Sequence, residues 1–322
     1  MCADYPRALD TPLSALEWDD WLDRLDTAAD ADGYAERLGG DHAAIFIENK
    51  PTLLVTFEAF PGLSVTSAEA QPLGWELARA LGWSHLCLAS RTDSWFRERR
   101  VYGYFDRLID DGFFEEFEQV IFYGAGPAGY AAAAYSVAAP GARVLAIQPQ
   151  ATLDPRMAGW DDRFRRHRRL DFTSRYGYAP DMLDAADRAV VLYDPEIEED
   201  AMHAALFARD NVTRFPMRFA GARLNQALLR MNVLLRMFAL LSADRLDTVG
   251  LARLFRARRG DVPYRKAVLA RLEDDGRHYL TARLAHYVMR DTPGPRFRRA
   301  LRTAYDRAGE QDLPMPPRED GD

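Results

Sequence analysis

The residues best placed to do chemistry lie in the run Gly124-Ala125-Gly126-Pro127-Ala128-Gly129, between an apolar stretch and an alanine-rich one. Gly124, Gly126 and Gly129 satisfy G-x-G-x-x-G after a strand and before a helix, the arrangement that lays a dinucleotide pyrophosphate on a helix N-terminus. On that reading the chain is an FAD- or NAD(P)-binding oxidoreductase. The chemistry also needs an acid at the end of the next strand to hold the ribose hydroxyls. That strand ends Ile147-Gln148-Pro149-Gln150, with no acid, and only two clear strands follow it. No cofactor is therefore expected.

Other reactive side chains give weaker patterns. No pair among His42, His85, His167, His203, His278 and His286 stands at i, i+4 with a glutamate between, so no metal site is expected from motifs. The two cysteines, Cys2 and Cys87, are far apart, which excludes a disulfide framework and a Cys-rich zinc site. A thiol-based reductase is disfavoured, and Cys87 in "SHLCLAS" reads as a buried, inert thiol. Arg163, Arg165, Arg166, His167, Arg168 and Arg169 could hold a phosphate, a sulfated or acidic sugar, or nucleic acid. They could also form a solvated face paired with Asp161, Asp162 and Asp171, which is the commoner fate of a charge run.

The same loop can instead be the tight strand-to-helix turn that presents a nucleophile. On Gly124–Ala132, on "IQPQATLDP" and on "ASRTDSWFRERRVYGYFDRLI", the chain resembles the α/β-hydrolase superfamily over roughly residues 44–222. It is closest to a bacterial group associated with cell-surface polysaccharide loci, whose elbow reads G-x-S-M-G-G-[YF]-A-A and whose next strand ends S-P-Q. The resemblance puts Gly126 at the nucleophile position and Pro127 at the residue whose backbone N–H serves the oxyanion; proline has none. It puts Asp194 at the triad acid, with Asp200 and His203 one and two helical turns later; Asp194 can equally be a strand-end carboxylate that caps the next helix. No histidine occurs from 204 to 277, and the nearest polar group to the expected base is Arg223. The resemblance thus implies a non-catalytic ligand-binding or protein-interaction module linked to cell-surface polysaccharide metabolism. Gly124, Gly126, Pro127, Gly129, Tyr130, Gln150 and Asp194 would form a vestigial elbow and pocket for a small molecule or glycan. The alternative is an enzyme with a relocated nucleophile: Ser64 or Ser67 in "PGLSVTSAEA", where Thr66 also lies; Ser136, inside the following helix, is poorly placed.

These residues need a scaffold. At 322 residues and 48% hydrophobic, the chain can bury a large core, and its 28% charged residues are ordinary for a globular protein. "SHLCLAS", "QVIFYG", "RVLAIQP", "RAVVLYDP" and "NVTRFPM" read as strands alternating with helices, which predicts a three-layer α/β fold on a mainly parallel sheet of α/β-hydrolase type. "AAIFIENKPTLLVTFE" reads as a strand pair around a turn. Residues 1–40 read as an acidic helical segment with Thr11 or Ser14 as caps, 41–222 as the α/β domain, 223–308 as a helical extension and 309–322 as a tail. From Arg223 to Ala308 there are 19 Lys/Arg against 8 Asp/Glu, although the whole chain carries −7. Arg253, Arg256, Arg258, Arg259, Arg296, Arg298, Arg299 and Arg302 could meet a protein partner or a second subunit. No nucleic-acid-binding signature accompanies them, so nucleic acid is not an expected partner. No signal peptide or apolar run of membrane-spanning length is apparent, and a cytoplasmic location is expected.

Overall fold

The computed structural model describes residues 12–30, 32–49, 51–66, 69–291 and 294–317. The side chains of 64–66 are outside that description, as are Cys2, Thr11 and Ser67.

In chain order the elements begin with α1 (Trp18–Ala29), β1 (Gly33–Arg37), β2 (His42–Ile47), β3 (Thr52–Ala59), α2 (Phe60–Thr66), α3 (Leu73–Leu81) and β4 (Ser84–Ser90). Next come α4 (Arg99–Asp110), β5 (Gln119–Ala125), α5 (Pro127–Tyr135), β6 (Arg143–Ile147), α6 (Pro155–Ala158), α7 (Ala179–Met182), β7 (Arg188–Tyr193), α8 (Glu198–Leu206) and β8 (Val212–Pro216). The remainder is α9 (Leu224–Arg230), α10 (Leu234–Ser242), α11 (Thr248–Leu254), α12 (Val262–Asp274), α13 (His278–Asp291) and α14 (Pro295–Glu310).

Eight strands form one sheet in the order β1-β2-β4-β3-β5-β6-β7-β8. β2 is antiparallel to β1 and β4; every other pairing is parallel. The six inner strands are nearly all apolar because both faces of the sheet are covered. On one face Val55, Phe57, Phe122, Val144 and Val191 pack with α4 and α5. On the other, Ile45, Cys87 and Ala89 pack under Trp21 of α1 and Trp75 of α3. Further along that face, Tyr123 meets Phe238 of α10, ring centroids 5.1 Å apart. The expected three-layer architecture is therefore observed. The edges are the two strands with exposed positions, β1 and β8, and both carry charged residues, as edges that must not recruit other strands do.

Three sequence expectations change. β2 and β3 both form but do not pair; β4 lies between them. β4 is buried along its whole length, so it needs a hydrogen-bonding neighbour on each side, which a β2–β3 hairpin would have denied it. The acidic N-terminal segment is helical over Trp18–Ala29 and then turns into the edge strand β1, and Ser14 does not cap α1, whose N-cap position is Glu17. In the helical extension, α9 and α10 are separate helices, parted where Asn232 takes φ 53°, a conformation asparagine tolerates.

The chain divides into two compact units. One runs to Arg218 and resumes over Ala222–Phe255, carrying the sheet and α1–α11. The other comprises Phe219–Gly221 with Arg256 onward and carries α12–α14. In the second, α13 and α14 bury Val288, Phe297 and Leu301 around Leu269 of α12, and Arg296 pairs with Glu273.

Candidate functional site

β5 runs into α5 through a single residue, Gly126, at φ 59° and ψ −125°. Glycine takes that conformation at low cost, whereas a residue with a side chain stores strain there. The turn is pinned by Gly126 N–H to Ile147 C=O at 2.8 Å and by Tyr130 N–H to Gly126 C=O at 3.0 Å. Pro127 takes the first helical position, where its fixed φ helps and its missing N–H is not needed. The other two glycines serve packing. A Cβ on Gly124 would lie 2.0 Å from Ala128 C=O, and one on Gly129 would lie 3.0 Å from Ile147 C=O. A Cβ on Gly126 meets nothing within 4 Å. Tyr130 points away into the core, where its hydroxyl donates to Tyr176 C=O.

Two cavities meet over this turn at the carboxyl ends of the strands, sharing Gly62, Ala125, Pro127 and Asn225. The larger, about 360 Å³, is lined by Gly126, Gln148, Gln150, Arg163, Phe164, Asp200, Arg223 and Gln226. The smaller, about 160 Å³, is lined by Phe57, Leu63, Leu73 and Phe96 beside Glu58, Ser94 and Tyr123.

A buried polar network backs the larger cavity. Gln148 Nε2 donates to Asp200 Oδ2 at 2.5 Å while its Oε1 accepts from Leu224 N–H at 2.9 Å, tying β6 to α8 and α9. Arg163 bridges Asp200 at 2.7 Å and Asp161 at 2.8 Å. His203 Nδ1 accepts from Ala151 N–H at 3.1 Å, so its ring proton sits on Nε2 and is donated to Asp161 at 3.0 Å. Burial alone would raise the Asp161 carboxyl, but hydrogen bonds from His203 and Arg163 outweigh it and hold the group well below the usual carboxylate range. Desolvation opposes the Arg163 charge, and its two aspartates more than restore it, leaving the guanidinium firmly cationic.

The residues singled out in the sequence separate in space. Gly126, Pro127 and Gln150 line the larger cavity; Gln150 also accepts from Trp95 Nε1 at 3.1 Å. Gly124 and Gly129 lie in the packing beneath it. Asp194 is buried at the end of β7, accepts from Glu196 N–H at 3.0 Å, and is not among the residues lining either cavity. α8 starts at Glu198 with no side-chain cap, so Asp194 holds the preceding turn rather than the helix. Of the arginine run, only Arg163 reaches the cavity. Arg165 and Arg168 pair with Asp162 at 2.6 and 3.2 Å, and the His167 ring lies 4.6 Å from that of Trp95. Arg166 and Arg169 are exposed, without a carboxylate partner among the described residues. Phe164, Asn225 and Gln226 line the cavity without having been singled out; short polar residues in a helical run give no periodic signal. Nor did sequence show that His42 Nε2 and Ser94 Oγ stand 2.8 Å apart, Ser94 at the smaller cavity.

No protein-family model matches the sequence, and no curated protein matches it. Solved structures do resemble it at low identity. A chain of the glycosylation-associated Gap123 complex from Streptococcus agalactiae is 13% identical over 56% of this chain, with a TM-score of 0.37, and this chain covers 41% of its length. A fluorophosphonate-binding serine hydrolase from Staphylococcus aureus is 11% identical, TM-score 0.40, covering 60% of this chain and 91% of its own. A capsule O-acetyltransferase of Neisseria meningitidis serogroup A is 11% identical, TM-score 0.39, covering 63% and 94%. The sheet order, the antiparallel second strand and the one-residue turn between β5 and α5 together give this chain the α/β-hydrolase fold.

Proposed function

We propose that the chain is a non-catalytic α/β-hydrolase-like protein that holds a small polar ligand, of saccharide type, in the cleft over Gly126. The observation that carries this is the open space at Gly126 combined with the residues around it. Gly126 has no nucleophile and Pro127 no N–H for an oxyanion, while the cleft beside them remains. Arg223, Asn225 and Gln226 offer donors, Asp200 offers acceptor lone pairs, and Phe164 an aromatic face, a lining that orients a hydroxylated molecule. By resemblance the setting is cell-surface polysaccharide metabolism. Arg298, Arg299 and Arg302 on α14 add a basic surface for a protein partner.

Hydrolysis of p-nitrophenyl acetate by the purified chain is expected at the buffer rate. Gly126→Ser should stay there, because a hydroxyl alone restores neither base nor oxyanion donor, and losing one such donor costs about 10²–10³ in rate. Turnover appearing in Gly126→Ser would contradict the proposal. A second reading rests on the His42–Ser94 pair, which has nucleophile–base spacing. Ser94 Oγ also accepts from Phe96 N–H at 3.1 Å, and His42 Nδ1 has no partner among the described residues to orient the ring, which favours a loop-holding role. Wild-type turnover abolished by Ser94→Ala would favour this second reading over binding alone.

A further inference from the structure

β3 and β4 run parallel, with Thr56 opposite Cys87 and Glu58 opposite Ala89. Side chains alternate along a strand, so His85 and Cys87 share one face of the sheet with Thr56 and Glu58. One donor atom each from Glu58, His85 and Cys87 lies within 4.8 Å of the other two. His85 and Cys87 are fully buried, and Glu58 nearly so.

The hydrogen bonds show what this cluster lacks. Thr56 Oγ1 donates to Glu58 Oε1 at 2.8 Å and lies 2.9 Å from His85 Nε2. Its one proton is committed to Glu58, so Nε2 carries the imidazole proton and Nδ1 is left as a buried lone pair with no partner among the described residues. The Cys87 Sγ lies 3.9 Å from Glu58 Oε1, at the limit of a weak sulfur hydrogen bond. Glu58 Oε2 accepts from Leu73 N–H at 2.8 Å. Gly74 roofs the imidazole, since a Cβ there would lie 1.9 Å from Nε2. Glu58 also lines the smaller cavity, so the group has a route to the cleft.

We propose that Glu58, His85 and Cys87 form a mixed carboxylate–imidazole–thiolate site for a divalent cation of the zinc class at the floor of the smaller cavity. The donor set selects the metal: thiolate and imidazole suit zinc and its borderline neighbours, whereas magnesium and calcium take oxygen ligands. Three protein ligands leave a fourth position open, and the Glu58 side of the cluster gives onto the cavity. Binding would release the Cys87 proton, and any proton on Glu58, to solvent; the imidazole binds neutral through one nitrogen and keeps its proton on the other. Without a cation, burial disfavours every charged form here, lowering His85 to about 3 and raising Glu58 and Cys87. A bound dication reverses that preference for the carboxylate and the thiolate. The site is independent of what the cleft over Gly126 binds.

The test uses the full chain carrying Cys2→Ser, so that Cys87 is its one thiol, stripped of metal under reducing conditions. Titration with Co²⁺ should give a 1:1 near-ultraviolet thiolate charge-transfer band with visible d–d absorption, both displaced by Zn²⁺. The charge-transfer band should vanish in Cys87→Ser, and His85→Gln should weaken binding by more than the roughly 10- to 100-fold that loss of a mere outer-shell partner costs. Should the variants fail to fold, zinc-edge X-ray absorption on the Cys2→Ser chain decides alone: one sulfur at about 2.3 Å is expected. No bound zinc, or a shell of nitrogen and oxygen only, overturns the site.

Discussion

Replacing Asp161 with alanine is expected to cost about 3 kcal/mol of folding stability, the lower end of the range for breaking a buried ion pair. Asp161 is fully buried and accepts from His203 Nε2–H and from Arg163 through its backbone N–H, Nε and Nη2. Alanine leaves the His203 N–H without a partner in the core. Arg163 keeps Asp200, and its side chain is 30% exposed, so water compensates part of the loss. Asp161→Asn retains an acceptor and should cost less. The pH dependence has a definite sign. The folded Asp161 carboxyl titrates below its unfolded value, so its contribution is present above about pH 4 and is lost as pH falls from there toward the folded value. Urea midpoints between pH 7 and pH 3 check both statements: the wild type should weaken below about pH 4, and Asp161→Asn should weaken less. Parallel acid profiles would show that the network does not carry this stability.

The elbow glycines give a second large and contrasting effect. Gly124→Val is expected to cost at least about 3 kcal/mol, because its Cβ would sit 2.0 Å from Ala128 C=O and 2.8 Å from Gly129 N, both backbone atoms that move only with α5. Gly126→Ala, one pleat away, should cost only about 1–3 kcal/mol, the strain of its positive φ, because its Cβ enters open space. Denaturation curves of the two variants should differ clearly in midpoint. Equal losses would mean that the space over Gly126 is filled.

Much of the scaffold was legible because burial on both faces leaves a mark in the sequence. β4 to β7 are short, near-continuous apolar runs separated by helical stretches, and the α4 run ends where Asp111 and Gly112 stop it. What could not be read was long-range order. Nothing local in "AAIFIENKPTLLVTFE" says that β4, some 25 residues later, inserts between its two halves. The same blindness hid the Glu58–His85–Cys87 cluster, which exists only through the β3–β4 register, so Cys87 read as inert and no metal motif was visible. At the turn between β5 and α5, residue type alone told that Gly126 brings no side chain and Pro127 no backbone N–H. That Arg163 turns inward while Arg165 and Arg168 pair with Asp162 depended on where Asp200 arrives on α8, which no spacing encodes.

The central claim is that the cleft over Gly126 holds a ligand and does not cleave it. Its most direct measurement is ligand-detected NMR with a panel of neutral and acidic mono- and disaccharides, plain and O-acetylated, on wild type and on Gly126→Trp, whose indole would occupy the larger cavity. Saturable binding to the wild type, unchanged ligand after prolonged incubation, and loss of binding in a folded Gly126→Trp are the predicted results. Binding that survives Gly126→Trp, or conversion of the bound saccharide into product by the wild type, would contradict the account.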